Sequence, residues 1–429
     1  MTSLPIGVRA LNPRIPREVA ALMLALQLRS SSRVPLRDLT DAEWESLLQF
    51  CDVAHLTLSL AQLERDGFPS WVAEHLEINL RDNAARFDRV KATYREAAAA
   101  LDKAQVECIV LKGFAQAPDY VNDPRLRMQS DLDLYCPQHM IQGAQAALQS
   151  IGYEPEETLD YSRADHLPSM IRPGDWQWRG NPFDPDMPLS IELHFTLWNE
   201  SVSFLPVPEV DSFWERRTER VIDGVAFPAL SSVDHLGYLA IHILRNLIAG
   251  DWVLHHVHEL ATFLHAHADD DMFWKAWKET HSSSLRAMET IALCLARSWF
   301  SCDVHEELER EIICLPVGLT MWLQRFPASS IEGMFRQNKD WVWLHFALLK
   351  SRTKKRQLLR RALIPRRIPR RNEPVVRLEN RQPRRFRIAH PSGRYISYLA
   401  SRLTAHAHVV PATLFRGLGW WLSQRQLGT

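Results

Sequence analysis

The pattern of apolar and polar positions changes character several times along this chain. From about Asp41 to Lys103 the spacing is helical: Trp44, Leu47, Leu48 and Cys51 fall at i, i+3, i+4 and i+7, and Ala73–Leu101 is rich in Ala, Leu, Arg and Glu. The period then shortens. Val106–Leu111 is a short β-branched run ending at Lys112-Gly113, which predicts a buried strand and a turn into a helix. Asp131–Cys136 alternates polar and apolar as a second strand, stopped by Pro137, and Ile141, Ala144, Leu148 and Ile151 mark an amphipathic helix over 138–151, closed by Gly152. After a Pro- and Gly-rich loop over Pro168–Pro188, Leu189–Phe195 alternates again as a third strand.

Beyond Ser231 the helical period returns, chiefly over His235–His267 and Met272–Trp299, with breaks near Pro316 and Pro327. The basic, Pro-containing stretch that follows is poor helix material until about Tyr395. The expected fold class is therefore α+β. A small mixed β-sheet core at 105–230 is flanked by an N-terminal helical module at 1–104 and a C-terminal helical module at 231–350. A basic segment with a final helix occupies 351–429.

Composition narrows this picture. At 429 residues, with 46% hydrophobic and 24% charged residues, the chain has the make-up of two or three packed modules and not of a disordered protein. The formal net charge of zero hides an asymmetry: Arg352–Arg387 holds 15 Lys or Arg against Glu373 and Glu379, leaving 36 basic and 49 acidic residues elsewhere. Such a segment suits an anionic partner, either a nucleic acid or a membrane surface, or else it is a solvated arm that lies on the acidic body. The six cysteines form no CxxC pair and are expected as free thiols in a reducing compartment. With no signal-peptide pattern and no apolar run of membrane-spanning length, the expectation is a cytoplasmic protein.

Asp131 and Asp133 stand two apart on a predicted strand, so both carboxylates leave the same face. Two like charges in one site repel unless a cation lies between them, and hard oxygen ligands suit Mg²⁺ or Mn²⁺. Glu192 and His194 alternate in the same way on the third strand, bringing a third carboxylate within reach. Metal ions held by Asp131, Asp133 and Glu192 would bind a triphosphate and stabilise leaving pyrophosphate, with Glu192 as metal ligand or as base. Replacing either aspartate by Asn is expected to abolish activity and leave folding almost intact.

Gly113 permits a tight turn whose following helix offers free N–H groups to an anion, and Lys112 adds a positive charge there. Arg127 is spaced to reach the same substrate, whereas Arg125 either does so or pairs with Asp123. The histidines from His255 to His267 contain no HExxH and no Cys pair, which argues against zinc and for a helix with His near its surface, His255 and Glu259 pairing at i, i+4.

At these residues the chain resembles the uncharacterised nucleotidyltransferase family of the DNA polymerase β-like superfamily. The shared pattern is Leu111-Lys112-Gly113, Tyr120 to Pro124, Arg127, Asp131-Leu132-Asp133, Gly152-Tyr153 and Glu192-Leu193-His194, with weaker likeness through Trp44, His55, His242, Arg245, Trp252 and Glu259. It covers roughly residues 40 to 270. The resemblance implies a polymerase β-like core that transfers an NMP from an NTP such as ATP to an acceptor it does not specify. Lys112-Gly113 stands where better-known relatives carry Gly-Ser, which puts their mode of phosphate gripping in doubt here. The competing reading is a non-catalytic scaffold that binds an anionic partner through the basic segment.

Overall fold

The computed structural model describes residues 15–29, 34–156, 165–251, 253–364, 375–377, 384–386 and 392–427. The N-terminal helices are α1 (Arg17–Ala25), α2 (Val34–Arg37), α3 (Asp41–Ala54), α4 (Thr57–Ala61) and the 34-residue α5 (Ser70–Lys103). Thr40 opens α3 with a capping box: its hydroxyl accepts from the Glu43 N–H while the Glu43 carboxylate accepts from the Thr40 N–H. On α5 the buried stripe of Val72, Leu76, Phe87, Val90, Tyr94, Ala97 and Leu101 is interrupted by three buried polar residues, Asn79, Asn83 and Arg86. Two of these, Asn83 and Arg86, reach the loop that leads into the second strand.

Seven strands form one sheet: β1 (Ile109–Val110), β2 (Asp131–Tyr135), β3 (Glu154–Pro155), β4 (Met170–Ile171), β5 (Ser190–His194), β6 (Thr218–Ile222) and β7 (Val225–Ala229). Their spatial order is β3-β4-β5-β2-β1-β7-β6. β1 runs antiparallel to β2, and β5 runs parallel to it. Leu132, Leu134, Ile191 and Leu193 point into a core that also takes Phe87, Val90 and Ala97 from α5 and Ala144 and Leu148 from α6 (Ile141–Ser150). The opposite face of the sheet meets a second, larger core shared by the N-terminal helices and the helices that follow the sheet.

After the short α7 (Glu200–Ser203), those later helices are α8 (Ser232–Ala249), α9 (Leu254–Ala266), α10 (Asp271–Thr280), α11 (Ser283–Phe300), α12 (Glu306–Cys314), α13 (Val317–Arg325), α14 (Ser329–Phe335) and α15 (Trp341–Leu348). Trp44, Trp274, Trp277 and Trp322 are fully buried in this core, so part of the Trp content serves packing. α16 (Arg352–Leu363) and α17 (Ser392–Leu427) follow, and β8 (Val375–Arg377) and β9 (Arg384–Phe386) pair as a separate ribbon.

Several expectations need correction. The three strands read from the sequence sit in a seven-stranded sheet, because β3 and β4 are two residues long and the β6–β7 hairpin carries exposed polar residues on one side. The helical stretch His235–His267 is two helices, broken at Gly250, whose φ of +82° suits glycine and where a Cβ would stand 2.8 Å from Trp341 Nε1. Met272–Trp299 is likewise divided, with Ser282 capping α11 through the Leu285 N–H. The basic stretch begins as a helix: Ser351 caps α16, Leu358 and Ala362 are buried, and the prolines start only at Pro365. Arg366, Arg367, Arg370 and Arg371, with Trp252, lie outside the described residues. Cys108 and Cys136, expected as free thiols, are disulfide-bonded across the β1–β2 pair with Cα atoms 4.6 Å apart. Among the described residues no helix is long and apolar enough to cross a membrane.

Candidate active site

β2 and β5 pair in register, Asp131 against Ser190 and Asp133 against Glu192. Since side chains alternate between faces, the leucines and isoleucine enter the core beneath, while Asp131, Asp133, Glu192 and His194 share the upper face. Lys112 reaches the same place from the turn just past β1, where the β1–β2 pairing ends with the Leu111 N–H donating to the Asp133 carbonyl at 3.1 Å.

Asp133 is buried and its Oδ1 takes two partners, Lys112 Nζ at 3.0 Å and His194 Nε2 at 2.9 Å. Burial alone would raise its pKa; the Lys112 ammonium and His194 overcome that and hold the carboxyl well below the usual range. Asp131 goes the other way. Burial first, then the Asp133 charge, raise its pKa, and Lys112 and Arg127 only partly oppose them. Glu192 Oε1 accepts from Ser169 Oγ at 3.0 Å, and its Oε2 lies 3.7 Å from His194 Nε2.

α8 covers this face. Ser231 caps it, and Tyr238, His242 and Arg245 recur at helical spacing along the side that looks onto the sheet. Burial, together with the Asp133, Glu192 and Asp131 carboxylates, pushes the Tyr238 hydroxyl well above its ordinary pKa. Arg245 donates to His242 Nδ1 at 3.0 Å and forms an ion pair with Asp165, which lies 3.8 Å from His194 Nδ1. His194 is thus held from both sides, by Asp133 and by the Asp165–Arg245 pair.

Gly113 has φ +70°, and a Cβ there would stand 2.2 Å from Gln129 Nε2. Gln129 bridges the turn to the second strand: its Oε1 accepts from the Phe114 N–H at 3.1 Å, and its Nε2 donates to the Asp131 carbonyl at 2.8 Å. The expected helix after Gly113 is a four-residue 3₁₀ turn, Gly113–Gln116, and one of its N–H groups is already used. The polar residues of α5 fix the loop leading into β2. Asn83 donates to the Arg125 and Arg127 carbonyls at 2.6 and 3.1 Å, and Arg86 donates to the Gln129 carbonyl at 2.8 Å.

Arg127 is not turned to open solvent. Its Nε donates to Glu259 Oε1 at 2.8 Å, both side chains being nearly buried, and Gln116 Nε2 donates to Glu259 Oε2 at 2.9 Å. Burial raises the Glu259 pKa, but Arg127 and His256 outweigh it and bring the carboxyl down to about 2. The expected His255–Glu259 pair is replaced by His256 at 3.4 Å, while the His255 ring packs against His55 and His256. These histidines turn inward. With Tyr120, Arg127 and Glu259, His55 and His255 line a small pocket that opens to solvent. Arg125 pairs with Asp123 at 3.2 Å and with Asp223 at 2.7 Å.

One oxygen each of Asp133 and Glu192 and a ring nitrogen of His194 lie within 4.8 Å of one another, close enough for a divalent cation. Two carboxylates suit Mg²⁺ or Mn²⁺, and the imidazole makes the set fit Mn²⁺ the better of the two. Asp131 stands outside that group of three, on the same strand face. His194 entered the sequence reading only as a companion of Glu192, although strand parity already put both on one face. Asp165 and Ser169 carried no such signal, since they lie on an irregular segment brought in by backbone pairing with β5.

A mixed sheet that gathers two carboxylates and an imidazole beside a lysine under a helical cover makes a group that could hold a divalent cation. The chain belongs to the family described as uncharacterised nucleotidyltransferases, whose family model matches residues 40–301, through the end of α11. No curated protein and no solved structure matches it.

Proposed function

We propose that this chain transfers an NMP from an NTP to an acceptor and releases pyrophosphate, with Asp131, Asp133 and Glu192 as metal ligands and Lys112, Gly113 and Arg127 as the phosphate-binding group. The single observation that supports it most is the convergence of three carboxylates and Lys112 on one face of β2 and β5. Mg²⁺ or Mn²⁺ held by the carboxylates would neutralise the triphosphate and lower the pKa of the attacking oxygen. The chain's own residues do the rest. Lys112, two residues past β1 and paired with Asp133 at 3.0 Å, offers its ammonium to a phosphate oxygen. Glu192, tethered by Ser169, accepts the proton of the acceptor as its oxygen bonds to the α-phosphorus and the α–β anhydride breaks. His194, whose Nε2 lies 2.9 Å from Asp133 Oδ1, positions that carboxylate.

The test is incubation with each α-labelled NTP, ATP first, and Mg²⁺ or Mn²⁺ in cell extract. A labelled product formed by the wild-type protein and absent with Asp133→Ala supports transfer. Labelling that is unchanged in that variant removes the carboxylate site from the reaction.

Two further parts of this reading stand on sequence. The segment Arg352–Arg387 holds an anionic partner, so complex formation should weaken steeply with salt. A cytoplasmic location is tested by alkylation of quenched cells: free Cys108 and Cys136 support it, and a retained Cys108–Cys136 bond assigns the protein to an oxidising compartment.

A further inference from the structure

The last helix carries two faces that ask for different environments. Thr413, Gly417 and Trp420 are buried on the inner face of α17. There Trp343 Nε1 donates to the Thr413 carbonyl and Trp420 Nε1 to the Gly318 carbonyl, each at 3.1 Å. Arg416, the single charged residue between Pro411 and Leu422, turns away to pair with Asp340 at 2.8 Å. The outer face over the same turns is apolar throughout: Leu414, Phe415, Leu418, Trp421 and Leu422 recur at i, i+1, i+4, i+7 and i+8. Phe415 is 79% exposed, and the other four are 40% exposed or more. A contiguous apolar stripe of this size on a water-facing helix marks an interaction surface.

The charge of this part of the sequence says what kind. Between Arg352 and the C-terminal Thr429 the sequence has nineteen Lys or Arg against two acidic residues. On α16, Arg352, Arg356 and Arg360 are exposed, and this helix is tied to α17 by His406 Nε2, which donates to the Leu363 carbonyl at 2.8 Å. Both helices rest on α15, Lys355 lying over the Phe346 ring and Trp420 against Trp343 and Phe346. A second copy would bring two strongly basic segments together. A nucleic acid would use the charge but leave three exposed leucines without a base to stack on them. An apolar helix face beside a cluster of positive charge, with Trp and Phe at its rim, is what an anionic lipid surface takes up.

We propose that the outer face of α17, with the exposed arginines of α16, docks the protein in the plane of an anionic membrane interface without spanning it. This rests on the reading of Arg352–Arg387 as the segment that holds an anionic partner and is independent of the transfer reading. The test is co-sedimentation of the full-length chain with vesicles of phosphatidylcholine containing about one-third phosphatidylglycerol, against vesicles of phosphatidylcholine alone. Binding should be at least about tenfold tighter to the anionic vesicles and should weaken with salt. The double variant Phe415→Glu, Leu418→Glu should lose at least about tenfold in vesicle binding with an unchanged melting temperature, because both side chains lie outside the core. Arg352→Gln, Arg356→Gln, Arg360→Gln should weaken binding to the anionic vesicles alone. The proposal is overturned if the wild-type chain stays in the supernatant or if the Phe415/Leu418 variant sediments like wild type. It also fails if that variant dissociates a dimer with no change in sedimentation, or loses binding to a single-stranded RNA while vesicles are not bound at all.

Discussion

Asp133 and Glu192 are register partners on adjacent parallel strands, and the buried Asp133 carboxylate is neutralised by Lys112 at 3.0 Å. The paired strands dictate this: a residue pair on one face brings the carboxylates side by side, and the end of the neighbouring β1 supplies the counter-charge. The two aspartates two residues apart therefore have opposite electrostatic states, and they predict opposite responses to the same substitution.

Asp131→Asn should hold or raise stability without metal, because burial and the Asp133 charge disfavour its ionised form. Asp133→Asn should cost about 3 kcal/mol, since it leaves Lys112 nearly buried without its counter-ion. This differs from the expectation, drawn from the sequence, that both variants fold almost intact. Chemical denaturation of the two proteins side by side checks it, and equal losses would show that Lys112 does not depend on Asp133. Both variants should lose transfer activity.

A second consequence concerns the turn that ends β1. Gly113→Ala forces a side chain into left-handed backbone at φ +70° and into the space of Gln129. The backbone cost is roughly 1–2 kcal/mol, and displacing Gln129 also frees the Asp131 carbonyl and the Phe114 N–H. The melting temperature should fall and activity should fall with it. Gln129→Ala in the Gly113→Ala background should recover part of the stability by removing the clash, so a double variant no more stable than Gly113→Ala would disprove the steric account.

Away from the site, His281 is fully buried between two acids, with Nε2 3.2 Å from Asp234 Oδ1 and Nδ1 2.7 Å from Glu289 Oε1, the latter an ion contact more than a directed hydrogen bond. Burial would lower its pKa; the two carboxylates win and raise it to about 9. The folded value lies above the unfolded one near 6.5, so this contribution is fully present below about pH 6.5 and is lost as pH rises through about 9. It is worth roughly 3 kcal/mol. Melting temperature measured from pH 6.5 upwards should decline across that window, and His281→Gln should flatten the decline. A wild-type curve that stays flat to pH 9.5 would contradict the assignment.

The carboxylate-bearing part of the fold was readable because strands carry a period of two: Asp131, Asp133, Glu192 and His194 share a face by parity, whatever the sheet around them. The four further strands were not readable. β3 and β4 are too short to show a period, and β6 with β7 owes its place to pairing with β1 across more than a hundred residues. The helix break at Gly250 was visible as a glycine, but its force comes from Trp341, ninety-one positions later. The inward turn of His255 and His256 was hidden for a similar reason, because a polar residue on a helix reads as exposed until its partners on other elements are known.

The last prediction concerns Arg127 and Glu259, which join the loop before β2 to α9. Each is nearly buried, at 11% and 12% exposure, so each needs the other's charge. Glu259→Gln should cost about 3 kcal/mol by leaving the guanidinium uncompensated, and Arg127→Met should cost a similar amount by leaving the carboxylate so. The double variant should be more stable than the sum of the two losses predicts, by at least about 1 kcal/mol, as expected for residues in direct contact. Activity then separates the structural role from a role in phosphate binding. If Arg127 also grips the nucleotide, Glu259→Gln should change KM for the NTP little, because Arg127 is retained and the introduced amide can still hydrogen-bond it. Arg127→Met should raise KM at least about tenfold, and the double variant should keep that high KM while recovering stability. Recovery of both stability and KM in the double variant would leave Arg127 as a structural partner of α9 and remove it from the phosphate-binding group.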